Sequence, residues 1–408
     1  MPVVRNIGLL ATCRSEGGQG AIHAVPDAVL AFRDGTVTWV GAERDLPASA
    51  DDGESWDAGG ALMIPGLIDC HTHLAFGGWR ADEFVRRLRG ETYAQIAAAG
   101  GGIAATVART RALGEDALLE RSRGFVVEMA ALGVTCVEAK SGYGLDRETE
   151  LRLLRVYRTL DASGPVRVVP TYLGAHVVPR DQPRAEYLAL VEEMIGEVAR
   201  QGLARFCDVF IERGAFSVEE ARHLLVAART AGLLLKVHAD QLTETGAAAL
   251  AAEVGAISAD HLEQIGPGGI ASLARAGVVA VSLPLAALYL DQPPLPARSL
   301  IDAGVAVAVA SDFNPGSAPS AHLPLALTLA CVRQRLSPAE ALKGATLYAA
   351  RAVALERERG SLEPGKSASF ALIDAPDVEH WLYHFRANAC LLTVVDGGVR
   401  ARAPDFRT

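Results

Sequence analysis

Through the middle of this chain short apolar runs alternate with long helical stretches, and that alternation leaves few folds open. The runs are Ile64–Ile68, Val134–Glu138, Val166–Tyr172, Phe206–Ile211, Leu233–Val237, Ala256–Ser258, Val278–Leu283 and Val305–Ala310. Between them lie segments rich in Ala, Leu, Glu and Arg, such as Asp116–Met129, Arg147–Thr159 and Ser217–Thr230, each long enough for a helix. A strand covered on both faces reads as a continuous apolar run, and strands that alternate with helices build a parallel sheet. Eight units in succession predict a closed (β/α)8 barrel of the TIM type. No GxGxxG follows the first run, which weighs against a doubly wound open sheet.

The two ends of the chain differ from the middle and resemble each other. Ala28–Phe32, an Asp34-Gly35 turn and Thr36–Gly41 read as a β-hairpin, and Ser369–Asp374 and Leu391–Gly398 repeat that style. They predict a small discontinuous β-sandwich domain from residues 1–62 and 351–408, flanking a barrel over 63–350. A net charge of −9, with no basic stripe, argues against a nucleic-acid partner. Six scattered cysteines without a CxxC pair read as buried thiols rather than a disulfide framework. The start of the chain lacks the pattern of a secretory signal, and no apolar segment is long enough to span a membrane. A cytoplasmic location is the expectation.

In such barrels the reacting groups sit at the C-terminal ends of the strands. The first run leads into Asp69-Cys70-His71-Thr72-His73. Residues two apart in a strand share a face, so His71 and His73 point to the same place. His238 ends the fifth run, His261 the sixth, and Asp312 follows the eighth. His23, His223, His322, His380 and His384 fall in loops or on helices and receive no role. Imidazoles with one carboxylate suit Zn²⁺ or Fe²⁺ better than Mg²⁺ or Ca²⁺. An ion with an open position makes water acidic enough to supply hydroxide at neutral pH. No GxSxG elbow accompanies the site, which favours metal hydrolysis over acyl-enzyme chemistry.

Pro65-Gly66-Leu67-Ile68-Asp69-Cys70-His71-Thr72-His73 resembles the first metal motif of the amidohydrolase superfamily, and Gly360–Lys366 resembles its return to the small β-domain. A narrower resemblance, to the imidazolonepropionase family, runs over most of the chain. It rests on Phe76–Phe84, Gly100–Ile103, Lys140-Ser141-Gly142-Tyr143-Gly144-Leu145, Thr171–His176 and Ser311-Asp312-Phe313-Asn314-Pro315-Gly316-Ser317. The resemblance implies that His71, His73, His238 and Asp312 hold one Zn²⁺, or Fe²⁺ or Fe³⁺, per subunit of a homodimer. It implies substrate contacts from Arg80, Tyr143, His176, Asn314, Gly316 and Ser317. It also implies hydrolysis of 4-imidazolone-5-propanoate to N-formimidoyl-L-glutamate. Some members carry Glu at the position of Gln241, where it touches substrate; Gln can hydrogen-bond the ring but cannot accept a proton.

The residues agree with that expectation. A propanoate tail needs a cation, and Arg80 lies in the loop after the first strand, where a guanidinium can grip a carboxylate with two bonds. Tyr143 and His176 follow the second and third strands, in reach of a ring. Asp312 and His261 are expected to move the proton and stabilise the oxyanion. Glu212, after the fourth strand, stands where related two-metal enzymes place a bridging ligand, yet one metal is the expectation. A deaminase of the same superfamily, or a metal-free barrel used as a scaffold, would share the fold. The first has no need of Arg80, and the second has no need of a full ligand set.

Overall fold

The chain passes from one sheet to another at Gly66, and the crossing sets the plan of the molecule. The computed structural model describes residues 2–407 apart from positions 51, 52, 93, 94, 97, 98 and 385. Before the crossing come β1 (Val3–Ala11), β2 (Ala24–Arg33), β3 (Thr36–Ala42), β4 (Ser55–Asp57) and β5 (Leu62–Pro65). After it come β6 (Leu67–Thr72), β7 (Val134–Lys140), β8 (Arg167–Ala175), β9 (Phe206–Phe210), β10 (Leu234–Ala239), β11 (Ser258–His261), β12 (Val279–Ser282) and β13 (Val307–Val309). The chain then ends with β14 (Phe370–Ile373), β15 (Cys390–Val395) and β16 (Gly398–Arg402).

Strands from both ends form one sheet in the order β16-β15-β14-β5-β1-β2-β3, with β4 on β1. Asp34 and Gly35 both take positive φ, 49° and 76°, which matches the right-handed twist of the hairpin and pairs Arg33 with Thr36. This sheet has its own apolar core of Val4, Ile7, Leu30, Phe32, Met63, Phe370 and Leu392.

β6 to β13 pair in chain order, all parallel. The ring closes just beyond the strand ends: Thr72 bridges Phe313, the His73 amide donates to the Phe313 carbonyl at 2.8 Å, and the Asp312 amide donates to the His71 carbonyl at 3.1 Å. Closure therefore runs through the residues singled out as chemical. The helices Glu115–Ala131, Arg147–Ser163 and Val218–Thr230 lie where periodicity places them. Asp146 caps the second of these, and a Ser217–Glu220 capping box starts the third.

Two expectations shift. The run Ile64–Ile68 is not one strand; it divides at Gly66 between the two sheets. A side chain there would put its Cβ 2.2 Å from Thr135 Cγ2, so only glycine lets the chain cross this close to the barrel wall. The sixth strand is Ser258–His261, later than the apolar Ala256–Ser258, because Asp260 finds His71, Lys140 and Ser258 inside the barrel and is buried with His261 despite their polarity. All six cysteines are free, and no helix among the described residues is long and apolar enough to cross a membrane.

Gly77 secures the loop that leaves β6. Its amide donates to Thr110 Oγ1 at 2.9 Å, and an added Cβ would lie 2.2 Å from the Arg109 backbone carbonyl. Gly77→Ala is expected to cost about 1–3 kcal/mol through overpacking against backbone. The check is urea denaturation, with a lower midpoint and an unchanged slope; an unchanged midpoint would refute it.

Candidate active site

Strand alternation puts His71 and His73 on the inner side of the barrel mouth, and both are buried. The His71 ring centroid lies 5.5 Å from that of His73, 4.6 Å from His238 and 5.5 Å from His261. Asp312 Oδ1 sits 3.4 Å from His71 Nε2 and 3.6 Å from His73 Nε2. Two trios offer ligand atoms within 4.8 Å of one another: His71, His238 and His261, and His71, His73 and Asp312. All five residues thus meet, with His71 common to both trios.

The donor atoms make the case for a cation. His71 Nε2, His73 Nδ1, both ring nitrogens of His238, His261 Nδ1 and Asp312 Oδ1 are buried without a hydrogen-bond partner. Buried polar atoms are nearly always satisfied, so several orphans at one spot are not explained by protein contacts alone. Four imidazoles and a carboxylate are a donor set for Zn²⁺ or iron. Burial holds His71, His73 and His261 well below the usual imidazole range, with neighbouring histidines and Lys140 adding to it. These rings are therefore neutral with free lone pairs, as metal ligation requires. The backbone also turns sharply here: His261 and Asp312 take φ of 79° and 54°, left-handed values that fixed surroundings must hold in place.

Behind the imidazoles lies a buried ionic layer. Asp260 Oδ2 is 2.6 Å from His71 Nδ1, and Asp208 Oδ2 is 3.0 Å from His238 Nδ1. The second contact is close but not aligned as a hydrogen bond, since that nitrogen remains unpartnered. Burial works to raise Asp208, but His238 and Lys140 overcome it and hold the carboxyl below its ordinary range. Lys236 and Lys140 do the same for Asp260. None of these groups was singled out from sequence as part of the site. The available signal was a carboxylate placed inside an apolar run, as in Phe206-Cys207-Asp208-Val209 and Ala259-Asp260-His261.

On the substrate side, Arg80 is only 11% exposed and is tied to Glu83, its Nε at 3.0 Å and Nη2 at 2.9 Å from Glu83 Oε2. The other Glu83 oxygen accepts from the Gly102 amide at 2.7 Å, which anchors the glycine-rich turn. Arg80 Nη1 lies over Gly316, where a Cβ would come within 2.4 Å of it, so the glycine makes room for the guanidinium. Tyr143 is buried with its ring centroid 5.5 Å from both His73 and His176. His176 stacks on His73 at 5.2 Å. Its Nδ1 donates to the Gly142 carbonyl at 3.0 Å, and burial pushes the ring down to about 3. That fixes a neutral tautomer whose Nε2 accepts hydrogen bonds.

Asn314 and Ser317 are brought to the same mouth but face one another. Asn314 Oδ1 accepts from the Gly316 and Ser317 amides at 2.8 and 2.7 Å, and its Nδ2 donates to the Asp312 carbonyl at 2.6 Å. The Asn314 amide thus shapes the loop that carries Asp312. Gln241 is buried just past β10, beside Asp240, whose carboxylate caps the helix Ala247–Val254. Glu212 accepts from the Arg213, Leu242 and Thr243 amides at 2.8, 2.8 and 3.1 Å and from the Thr243 hydroxyl. It ties the loop after β10 to β9 and belongs to neither trio of ligand atoms.

Comparison with known proteins identifies the family. The amidohydrolase family profile matches residues 62–400. The chain is 45% identical to an imidazolonepropionase of Bacteroides fragilis strain YCH46, across 93% of this chain and 92% of that one. It is 45% identical to an imidazolonepropionase of Anaeromyxobacter dehalogenans strain 2CP-C, across 98% and 96%. Among solved structures, an adenosine deaminase of Xanthomonas campestris with bound zinc superposes with a TM-score of 0.71 at 18% identity, across 98% of this chain and 92% of that one. A triazine hydrolase variant superposes at 0.79 with 19% identity, across 98% and 94%. At those identities the structural likeness speaks for the fold alone.

Proposed function

The chain belongs to the amidohydrolase family and, within it, to the imidazolonepropionases, hydrolases of histidine degradation, and from that premise we propose how its residues open the ring of 4-imidazolone-5-propanoate to give N-formimidoyl-L-glutamate. His71, His73, His238 and Asp312 hold one Zn²⁺ or iron ion per subunit, and His261 stands beside them as a stabilising group. The observation that carries this reading is the convergence of His71, His73, His238, His261 and Asp312 in two overlapping trios at the closure of the barrel, with orphaned buried polar atoms on all five. Such an ion, when bound, polarises the ring carbonyl and acidifies water.

The chain's own groups do the rest. Arg80 grips the propanoate carboxylate, already aimed by Glu83 and given space by Gly316. His176 Nε2 accepts from a ring N–H, and Tyr143 and Gln241 add polar contacts around the ring. Gly316 and Ser317 line the tail end of the pocket. Asp312 takes the proton of the attacking water on its carboxylate and returns it to the departing ring nitrogen. His261 faces the tetrahedral oxyanion as the carbonyl carbon is attacked. The commitment of the Glu212 oxygens to the loop over 242–243 supports a reading with one metal.

The test follows loss of 4-imidazolone-5-propanoate by absorbance, before and after chelation. Turnover is expected to vanish with chelator and to return with Zn²⁺ or Fe²⁺. Turnover that survives complete metal removal would sink the ligand assignment, whereas a metallated but inactive protein would sink the assignment of substrate. The reading extends to a homodimer in the cytoplasm, as suits an enzyme of small-molecule catabolism; a monomer by sedimentation equilibrium would remove the first half.

A further inference from the structure

Lys140 lies in the Lys-Ser-Gly-Tyr-Gly-Leu segment, yet the reaction as derived gives it no task. It is fully buried inside the barrel, below the imidazoles. Its ammonium lies 2.9 Å from Glu138 Oε1, 2.8 Å from Asp208 Oδ2 and 3.5 Å from Asp260 Oδ2. These carboxylates come from β7, β9 and β11, alternate strands of the barrel, the pattern by which interior side chains share a layer. Such layers are normally aliphatic; this one is ionic.

Two arms of the layer lead to metal-site histidines through the same carboxylate atoms. Asp208 Oδ2 contacts both Lys140 Nζ and His238 Nδ1, and Asp260 Oδ2 contacts both Lys140 Nζ and His71 Nδ1. A carboxylate behind a ligating imidazole fixes the ring's orientation and tautomer, but only if the carboxylate is itself held. Two further lysines are buried: Lys236 Nζ donates to the Ala352 carbonyl at 3.1 Å and lies 3.7 Å from Asp260 Oδ2, and Lys343 Nζ donates to the Glu16, Gly18 and Ala21 carbonyls; neither reaches Asp208. A well-packed apolar side chain would serve stability as well as a buried ion cluster does.

We propose that Lys140 is a positioning residue for the metal centre: its ammonium pins Asp208 and Asp260 together so that His238 and His71 present their ligand nitrogens to one ion. The role rests on the metal reading above. Removing the ammonium takes one anchor from both carboxylates at once, leaving Asp260 on the Ser258 hydroxyl and Asp208 on the His238 amide, so its loss should exceed the loss of one arm.

The experiment uses the full-length protein stripped of metal and titrated with Zn²⁺ against a chromophoric chelator. Lys140→Met is expected to bind Zn²⁺ about 10–100-fold more weakly than wild type, the range for losing groups behind metal ligands. Lys140→Arg, which keeps the charge and its donors, is expected to recover part of that loss. With Co²⁺ as the probe, the visible absorption of Lys140→Met is expected to differ from wild type, because the ligand geometry has changed; a merely structural lysine would not alter it. Wild-type affinity and an unchanged Co²⁺ spectrum in Lys140→Met would overturn the role. If Lys140→Met does not fold, Lys140→Gln decides, since it removes the charge and keeps a polar side chain in the layer. Weaker Zn²⁺ binding supports the role, and unchanged binding overturns it. A wild-type protein that takes up no Zn²⁺ would overturn the metal reading itself and this role with it.

Discussion

Asp312→Asn is expected to lower kcat by about 10²–10⁴-fold, the span contributed by a positioned proton-transfer group. Asparagine copies the shape of the side chain and keeps an oxygen where Oδ1 now lies, 3.4 Å from His71 Nε2. It cannot take a proton from water or hand one to the leaving nitrogen. The surrounding frame should survive, because the contacts that set this turn are made by backbone: the Asp312 amide to the His71 carbonyl, and the Asp312 carbonyl to Asn314 Nδ2. Metal content by atomic absorption and steady-state kinetics at saturating substrate are the two readings needed. A metal-loaded variant turning over at the wild-type rate would remove Asp312 as the proton carrier.

Arg80→Met should act on a different quantity. A charge-assisted hydrogen bond contributes about 1.5–3 kcal/mol, so kcat/KM is expected to fall by about 10–150-fold, chiefly through KM. Binding of the tail is present in ground state and transition state alike, and its loss should leave kcat near wild type. Glu83 adds to the effect. It is nearly buried, and without its guanidinium it would face the substrate carboxylate as a like charge. The discriminating control is a substrate analogue without the carboxylate, toward which wild type and variant should be equal within a few-fold. An unchanged KM for the natural substrate would show that some other group binds the tail.

The extent to which these roles could be read from sequence differs from residue to residue. The strand-end positions of His71, His73, His238, His261 and Asp312 follow from alternation and from where barrels carry chemistry, and all five meet in the structure. Arg80 and Gly316 belong to separate motifs, and the fold lays one over the other. The family resemblance makes Asn314 a substrate contact, and in the structure its amide is engaged in the Gly316–Ser317 turn and the Asp312 carbonyl. Nothing in its local sequence distinguishes an amide that faces a ligand from one that closes a turn. The first apolar run shows the same limit, because five apolar or small residues in a row do not reveal that the chain changes sheets in their midst.

The succession of barrel strands, the terminal β-domain and the identity of the groups at the barrel mouth are all legible in the residues. Each of these is written in a short-range pattern: a period of two, a helix-length spacing, a motif. Which groups stand behind them emerges in the folded chain alone. His71 meets Asp260 across 189 residues of chain, Lys140 meets Asp208 across 68, and the ring closes by joining β6 to the turn after β13. Periodicity says which way a side chain points but not what it meets. A buried charge is decided by that meeting, because the same aspartate is costly alone and stable beside an ammonium.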